Sequence, residues 1–270
     1  MEKLDFVFWA FRQAAKFLRW IRLHGVIRAC RDRVMVGSLR TMHLAVLHRL
    51  RRLAFEVEEP GKNLDASSQL ALQICTECRK LISRFYELDD NHLHCCFKVF
   101  VPQPDEEGKS GDSVETWVRS EPFDDRPAET GDGFPHYVTD NTVWSALLGE
   151  YDGNYNWRVF RCFACNDLTA YPKDFRCDRQ NWQRYYRSTV VVPIRYPLDI
   201  HGQEYKYWGF LAFDSPRTKA FPDLPDIFAY RDDPHAYSDL LEKSAAFHLI
   251  GILADIMGTF LRNVETTRGA

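Results

Sequence analysis

Cysteine is the residue type most able to do chemistry in this chain of 270 residues, and eight are present. Two CxxC pairs stand out, Cys75–Cys78 (CTEC) and Cys162–Cys165 (CFAC). A pair of CxxC units can hold zinc tetrahedrally, but zinc ribbons bring the pairs to roughly 15–20 residues of one another. Here 83 residues intervene, and the first pair falls on a predicted helix. Cys162 and Cys165 are therefore a weak metal alternative beside an expectation of no metal and no cofactor. Cys95, Cys96 and Cys177 could join a thiol centre, and buried unreactive thiols are the simpler reading. His43, His48, His92 and His94 form no HExxH, and the chain lacks GxSxG, GxxxxGK and GxGxxG. The Asp-Asp pairs at 89–90, 124–125 and 232–233 sit in turn-like contexts and read as solvated loop acids. These patterns favour binding over catalysis.

Composition is that of a globular protein, with 45% apolar and 27% charged residues. No run reaches the roughly 20 apolar residues of a membrane span. The start, MEKLDFVFWAF, carries acids where a secretory signal has basic residues, so the chain reads as cytoplasmic with free thiols. A net charge of −3 hides a split: residues 1–55 hold 12 Lys/Arg against Glu2, Asp5 and Asp32, a local +9, which leaves −12 for the remainder.

That basic part reads as a helical extension over residues 1–60. Leu4, Val7, Phe8, Phe11, Ala15, Leu18 and Ile21 recur at helical steps beside a stripe of Arg12, Lys16, Arg19 and Arg22. A second helix, Val34–Val57, ends among Arg49, Arg51 and Arg52, and Pro60-Gly61 stops it. The seven cations are candidate contacts for a polyanion or a partner: nucleic acid, a membrane surface or a protein docking on residues 1–58.

A domain over residues 61–270 follows. The spacing predicts a helix over Ser68–Leu88 and strands over Leu93–Val101 and Val114–Ser120, joined by a polar tip at Gln103–Ser113. Next come a long loop over Glu121–Asn141, a short helix Thr142–Gly149 capped by Asp140, and a strand Trp157–Phe163. Residues Asn166–Arg184 show no period. Two β-branched and aromatic runs, Ser188–Tyr196 and Tyr205–Phe213, read as an antiparallel hairpin, and one helix over Ser238–Arg262 closes the domain.

CFKVFV, FACNDL, YRSTVVVPI and GFLAFDS, in that order, resemble the first strand, a middle segment and the last two central strands of a GAF domain. The resemblance covers about three-quarters of the chain. It implies an α+β fold, a GAF-like central antiparallel sheet with flanking helices, in which the first and last helices share one face. The other face would hold a pocket under the long loop. Residues implied to line it are Tyr137, Asn141, Trp144, Phe160, Asn166, Asp167, Tyr186 and Ser188, aromatic platforms and hydrogen-bonding groups that suit a small ring-shaped ligand. The chain departs from cyclic-nucleotide-binding members, lacking their Asn-Lys-Phe-Asp pattern, and offers no Cys for tetrapyrrole attachment. Some members are free methionine sulfoxide reductases that use cysteines, the minor enzymatic alternative.

The functional expectation is a non-catalytic signalling or regulatory protein that senses a small ligand. It would pair as a homodimer through helices 68–88 and 238–262 and hand its output to a separate protein partner. The alternative is a scaffold subunit docking through the basic helices.

Overall fold

A computed structural model of the chain describes residues 63–89, 92–101, 113–120, 136–148, 161–177, 179, 181–197 and 205–268. These all belong to one compact unit, Val46–Ala270. The expectations for residues 1–60, including Arg12, Lys16, Arg19, Arg22, Arg49, Arg51 and Arg52, lie outside the described residues. So do Phe160, most of the tip at 103–113 and most of the loop at 121–141.

The first helix, α1 (Asn63–Tyr86), buries Leu70, Ile74, Cys78, Leu81 and Ile82, a stripe at three- and four-residue steps. It stops where Glu87 turns left-handed at φ 55° and Leu88 N donates to Ser83 O at 2.8 Å. That closure satisfies carbonyls of the last turn.

Strands β1 (His94–Val101), β2 (Ser113–Arg119), β3 (His136–Tyr137), β4 (Phe163–Cys165), β5 (Ser188–Pro197) and β6 (Tyr205–Ser215) form one sheet in the order β3-β2-β1-β6-β5-β4. Every neighbouring pair is antiparallel, so the fold is α+β around an antiparallel sheet. The expected hairpin is β5–β6, with Val190 opposite Phe213 and Val192 opposite Leu211. Its strands bury Val190, Val191, Val192, Ile194, Phe210, Leu211 and Phe213. A fully buried side chain of this size contributes about 1.5–3 kcal/mol.

The short helix α2 (Thr142–Leu148) is capped by Asn141, not Asp140: Val143 N donates to Asn141 Oδ1 at 3.0 Å. The predicted closing helix is two helices, α3 (Pro234–Leu241) and α4 (Ala245–Arg268). The apolar period runs unbroken from Leu241 into Leu249, which is why one helix was expected. Ser244 breaks it: its Oγ accepts from Phe247 N at 3.1 Å and donates to Asp223 Oδ2 at 2.9 Å, starting a new helix.

Helix α1 rests on β1 and β2, α4 rests on β5 and β6, and the two helices touch. They share one face of the sheet. Their outward residues, Gln69, Gln73, Glu77, His248 and Asp255, are polar, and Ile252 is the exposed large apolar residue among those described. At the sheet's far edge, fully buried Tyr237 of α3 anchors β4. Its hydroxyl donates to Cys162 O and accepts from Ala164 N, each at 3.1 Å. No helix among the described residues is long and apolar enough to cross a membrane.

Candidate functional site

Strand alternation splits β1 between two environments. Cys95 meets Cys75 and Cys78 of α1, and Cys75 Sγ donates to Cys95 O at 3.0 Å. Cys96 and Lys98 face the other way, where the sheet forms the floor of a cavity. Lys98, Thr189, Val191, Ala212 and Asp214 rise from β1, β5 and β6. Asn141, Val143 and Trp144 at the start of α2 and Phe175, Cys177, Arg179 and Tyr186 from the chain before β5 close over them, with His136 at one side. The room inside for the centres of water-sized molecules is about 40 Å³.

Local bonds hold this roof. Thr142 N donates to Arg176 O at 3.1 Å, and Thr142 Oγ1 accepts from Arg176 N at 2.7 Å, tying α2 to the segment at 174–177. Phe175 meets Trp182 edge-on at 4.7 Å, and Trp182 stacks on Tyr186 at 5.7 Å. Cys177 Sγ lies 3.0 Å from the Tyr186 hydroxyl, and Asn141 Nδ2 donates to that sulfur at 3.7 Å. Burial, then the neighbouring Cys177, pushes the Tyr186 phenol well above its usual range.

The floor is charged. Lys98 Nζ donates to Thr116 Oγ1 at 2.8 Å and sits 5.5 Å over the Trp144 ring. Burial pulls its pKa down; Arg119 and Arg179 lower it further, while Cys96 and Asp214 act against them. Asp214 accepts from Thr189 Oγ1 at 2.6 Å. Arg179 is 4% exposed, and no hydrogen bond or ion pair of its side chain is found among the described residues. Trp144 Nε1 is buried without an acceptor among them.

Of the residues expected around a ligand, the structure brings Asn141, Trp144 and Tyr186 to the cavity. Tyr137 sits on β3 beside His136 but does not line it. Asn166 is engaged elsewhere. Its Nδ2 donates to Phe221 O at 3.0 Å and Leu224 O at 3.1 Å, and its Oδ1 accepts from Phe221 N at 3.0 Å. Asp167 caps the following turn by accepting from Thr169 N at 3.1 Å. Ser188 Oγ lies 2.7 Å from both Asn166 O and Arg217 O, which share its one proton. All three serve the chain's own backbone: an Asn or Asp side chain carries the acceptors, and for Asn the donors, of a peptide group. Asn166→Ala is accordingly expected to cost about 2–4 kcal/mol in urea unfolding, since buried backbone groups lose their partners. Retained ligand response in that variant would separate it from the cavity residues.

Sequence reasoning missed Lys98, Arg179, Thr189 and Asp214. Asp214 lies inside GFLAFDS, and Lys98 inside CFKVFV, so both were in view as strand residues.

Five buried thiols are held protonated. Burial raises Cys78, Cys95, Cys96, Cys162 and Cys165, with Asp226 adding to the rise at Cys165. Among the described residues no three His, Cys, Asp or Glu side chains gather as a metal ion would require.

No protein-family model matches the chain, and no curated protein matches it. Among solved structures, the chain is similar to the chromophore-binding domain of an unusual bacteriophytochrome from R. palustris, with 10% identity and a TM-score of 0.28. The match covers 77% of this chain and 60% of that one.

Proposed function

We propose that this chain is a non-catalytic regulatory protein of GAF-like build, which binds a small ligand on one face of its sheet and responds through the helices on the other. The cavity carries this reading. It opens where the resemblance implied a pocket, between the sheet face turned away from α1 and α4 and the irregular middle of the chain. The order of elements supports it: helix, two strands, irregular middle with a short helix, edge strand, hairpin, helix.

The thiol alternative has less support. A nucleophilic or reducing cysteine needs a stabilised thiolate, and burial works against the thiolate at Cys78, Cys162 and Cys165 of the two CxxC pairs.

Strand β5 offers a route for coupling. Thr189 and Val191 reach the cavity, and α4 lies against the opposite side of the same strand. A ligand that binds one roof position better than another shifts the pairing of these layers, and with it the outward face of α4. Output passes from there to a second copy of the chain or a separate protein.

A thermal-shift panel of nucleotides and small metabolites tests the reading. At least one compound is expected to raise Tm by several degrees, with the shift lost in Trp144→Ala measured against that variant's own baseline. A flat panel, or a shift indifferent to Trp144, sinks it.

A further inference from the structure

We propose that the cavity takes a compact carboxylate carrying a hydrogen-bond donor next to its acid group, the class of small hydroxy and amino acids, with Arg179 and Lys98 holding the carboxylate. This rests on the small-ligand reading above and narrows it.

Size comes first. The room for about 40 Å³ of molecular centres compares with about 10–15 Å³ for one water. The cavity thus suits an occupant of about three to six heavy atoms and is too small, as it stands, for a nucleotide.

Charge comes second. Lys98 and Arg179, 8% and 4% exposed, both line the cavity, and Arg179 acts on Lys98 electrostatically. The carboxylate that faces them is Asp214, 7% exposed and bound by Thr189. Among the described residues of the lining, two cations meet one carboxylate, and buried charge of one sign calls for a counter-charge.

Unspent hydrogen bonds come third. Arg179 lines the cavity with no hydrogen bond of its guanidinium among the described residues, and its planar fork matches a carboxylate in two-point contact. Trp144, also in the lining, keeps its indole N–H without an acceptor. Both supply donors, which an anion's oxygens satisfy.

Asp214 sets the second half of the specificity. Its carboxylate would repel an anion that offers no proton, acetate included, and would accept a hydrogen bond from an adjacent hydroxyl or ammonium group. Phe175 and Val143 leave an apolar wall for a methyl or methylene.

The test uses the full chain with lactate, alanine, acetate, inorganic phosphate and the neutral lactamide, read by calorimetric titration and by protection of Cys177 from alkylation. Cys177 is half-exposed in the lining, so an occupant shields it. Lactate or alanine is expected to bind with a Kd of roughly a millimolar, typical of a ligand this small. Acetate and phosphate should bind more weakly, and Arg179→Gln should weaken lactate by about tenfold. Binding of lactamide as tight as lactate overturns the anion assignment and leaves the small-ligand reading standing. Acetate binding as tightly as lactate overturns the role given to Asp214, and phosphate binding tighter than lactate overturns this ligand class. Should none of these five probes bind or slow Cys177 alkylation while a compound of the wider panel does, the ligand class falls alone; silence from both sets removes the underlying reading too. The alkylation arm on the unaltered chain keeps the test decisive where Arg179→Gln fails to fold.

Discussion

Gly209→Ala is expected to remove about 3–6 kcal/mol of stability, against the roughly 5–15 kcal/mol that holds an ordinary domain. Gly209 lies in β6 between Val99 of β1 and Ile194 of β5, beside the irregularity at Ile194/Arg195. Its φ is 150°, a conformation L side chains rarely adopt. A Cβ there would stand 1.8 Å from Lys98 O and 2.8 Å from Val99 Cα, both backbone atoms that cannot swing aside. The strands would have to part at the centre of the sheet, and the first residue displaced is Lys98 on the cavity floor. Soluble yield and urea unfolding check the claim, with Gly251→Ala as the contrast. Nothing lies within 4 Å of a Cβ at that position in α4, so alanine is expected to gain about 0.5–1 kcal/mol from helix propensity. Equal effects at the two sites would refute the steric account.

The same two strands show how far the sequence could be read. The β5–β6 hairpin was legible because a β-branched run bounded by Pro, and an aromatic run containing Gly, leave little choice but paired strands. Alternation in CFKVFV also separated Cys95 and Phe97 from their neighbours. It could not say that Lys98's side was enclosed. A lysine on a strand normally faces water, and here it faces a second layer that includes the start of α2 and described residues of Asn166–Arg184, a stretch that shows no period. Arg179 lies in that stretch, so nothing local marked it. The residues chosen by type met a different obstacle. Asn166, Asp167 and Ser188 have ligand-binding chemistry, but the nearest unpaired polar groups in an irregular chain are its own amides and carbonyls, and those were satisfied first. Trp144 and Asn141 escaped that fate differently. Trp144 is held by its packing, 4.8 Å from the Phe210 ring, while Asn141 caps α2 and still reaches the cavity with its amide nitrogen.

Lys98→Met is expected to stabilise the unliganded protein at neutral pH, by about 1–2 kcal/mol, while abolishing anion binding. The ammonium is buried, faces Arg119 and Arg179, and is offset by Asp214 and by a hydrogen bond to Thr116. Methionine of similar length keeps the packing under Trp144 and removes the like-charge contact. The pH dependence distinguishes this from a general packing gain. Burial first, and the arginines next, lower the folded-state pKa of Lys98 below its ordinary 10.5. Below that lowered value the lysine is charged in both states, and the whole cost of burying it is present. Between it and 10.5 the unfolded chain binds the proton more tightly, so the stability of the unaltered protein rises with pH. The variant has no such proton to lose. Its advantage should therefore shrink as pH climbs toward 10.5, measured as the difference between two urea-unfolding series, in which the titrations of Tyr, Cys and other Lys largely cancel. A variant less stable than the parent at neutral pH would mean that the bond to Thr116 and the contact over Trp144 outweigh the buried charge. The cavity would then hold its cations for the sake of the fold, with no stored electrostatic cost for an anion to relieve.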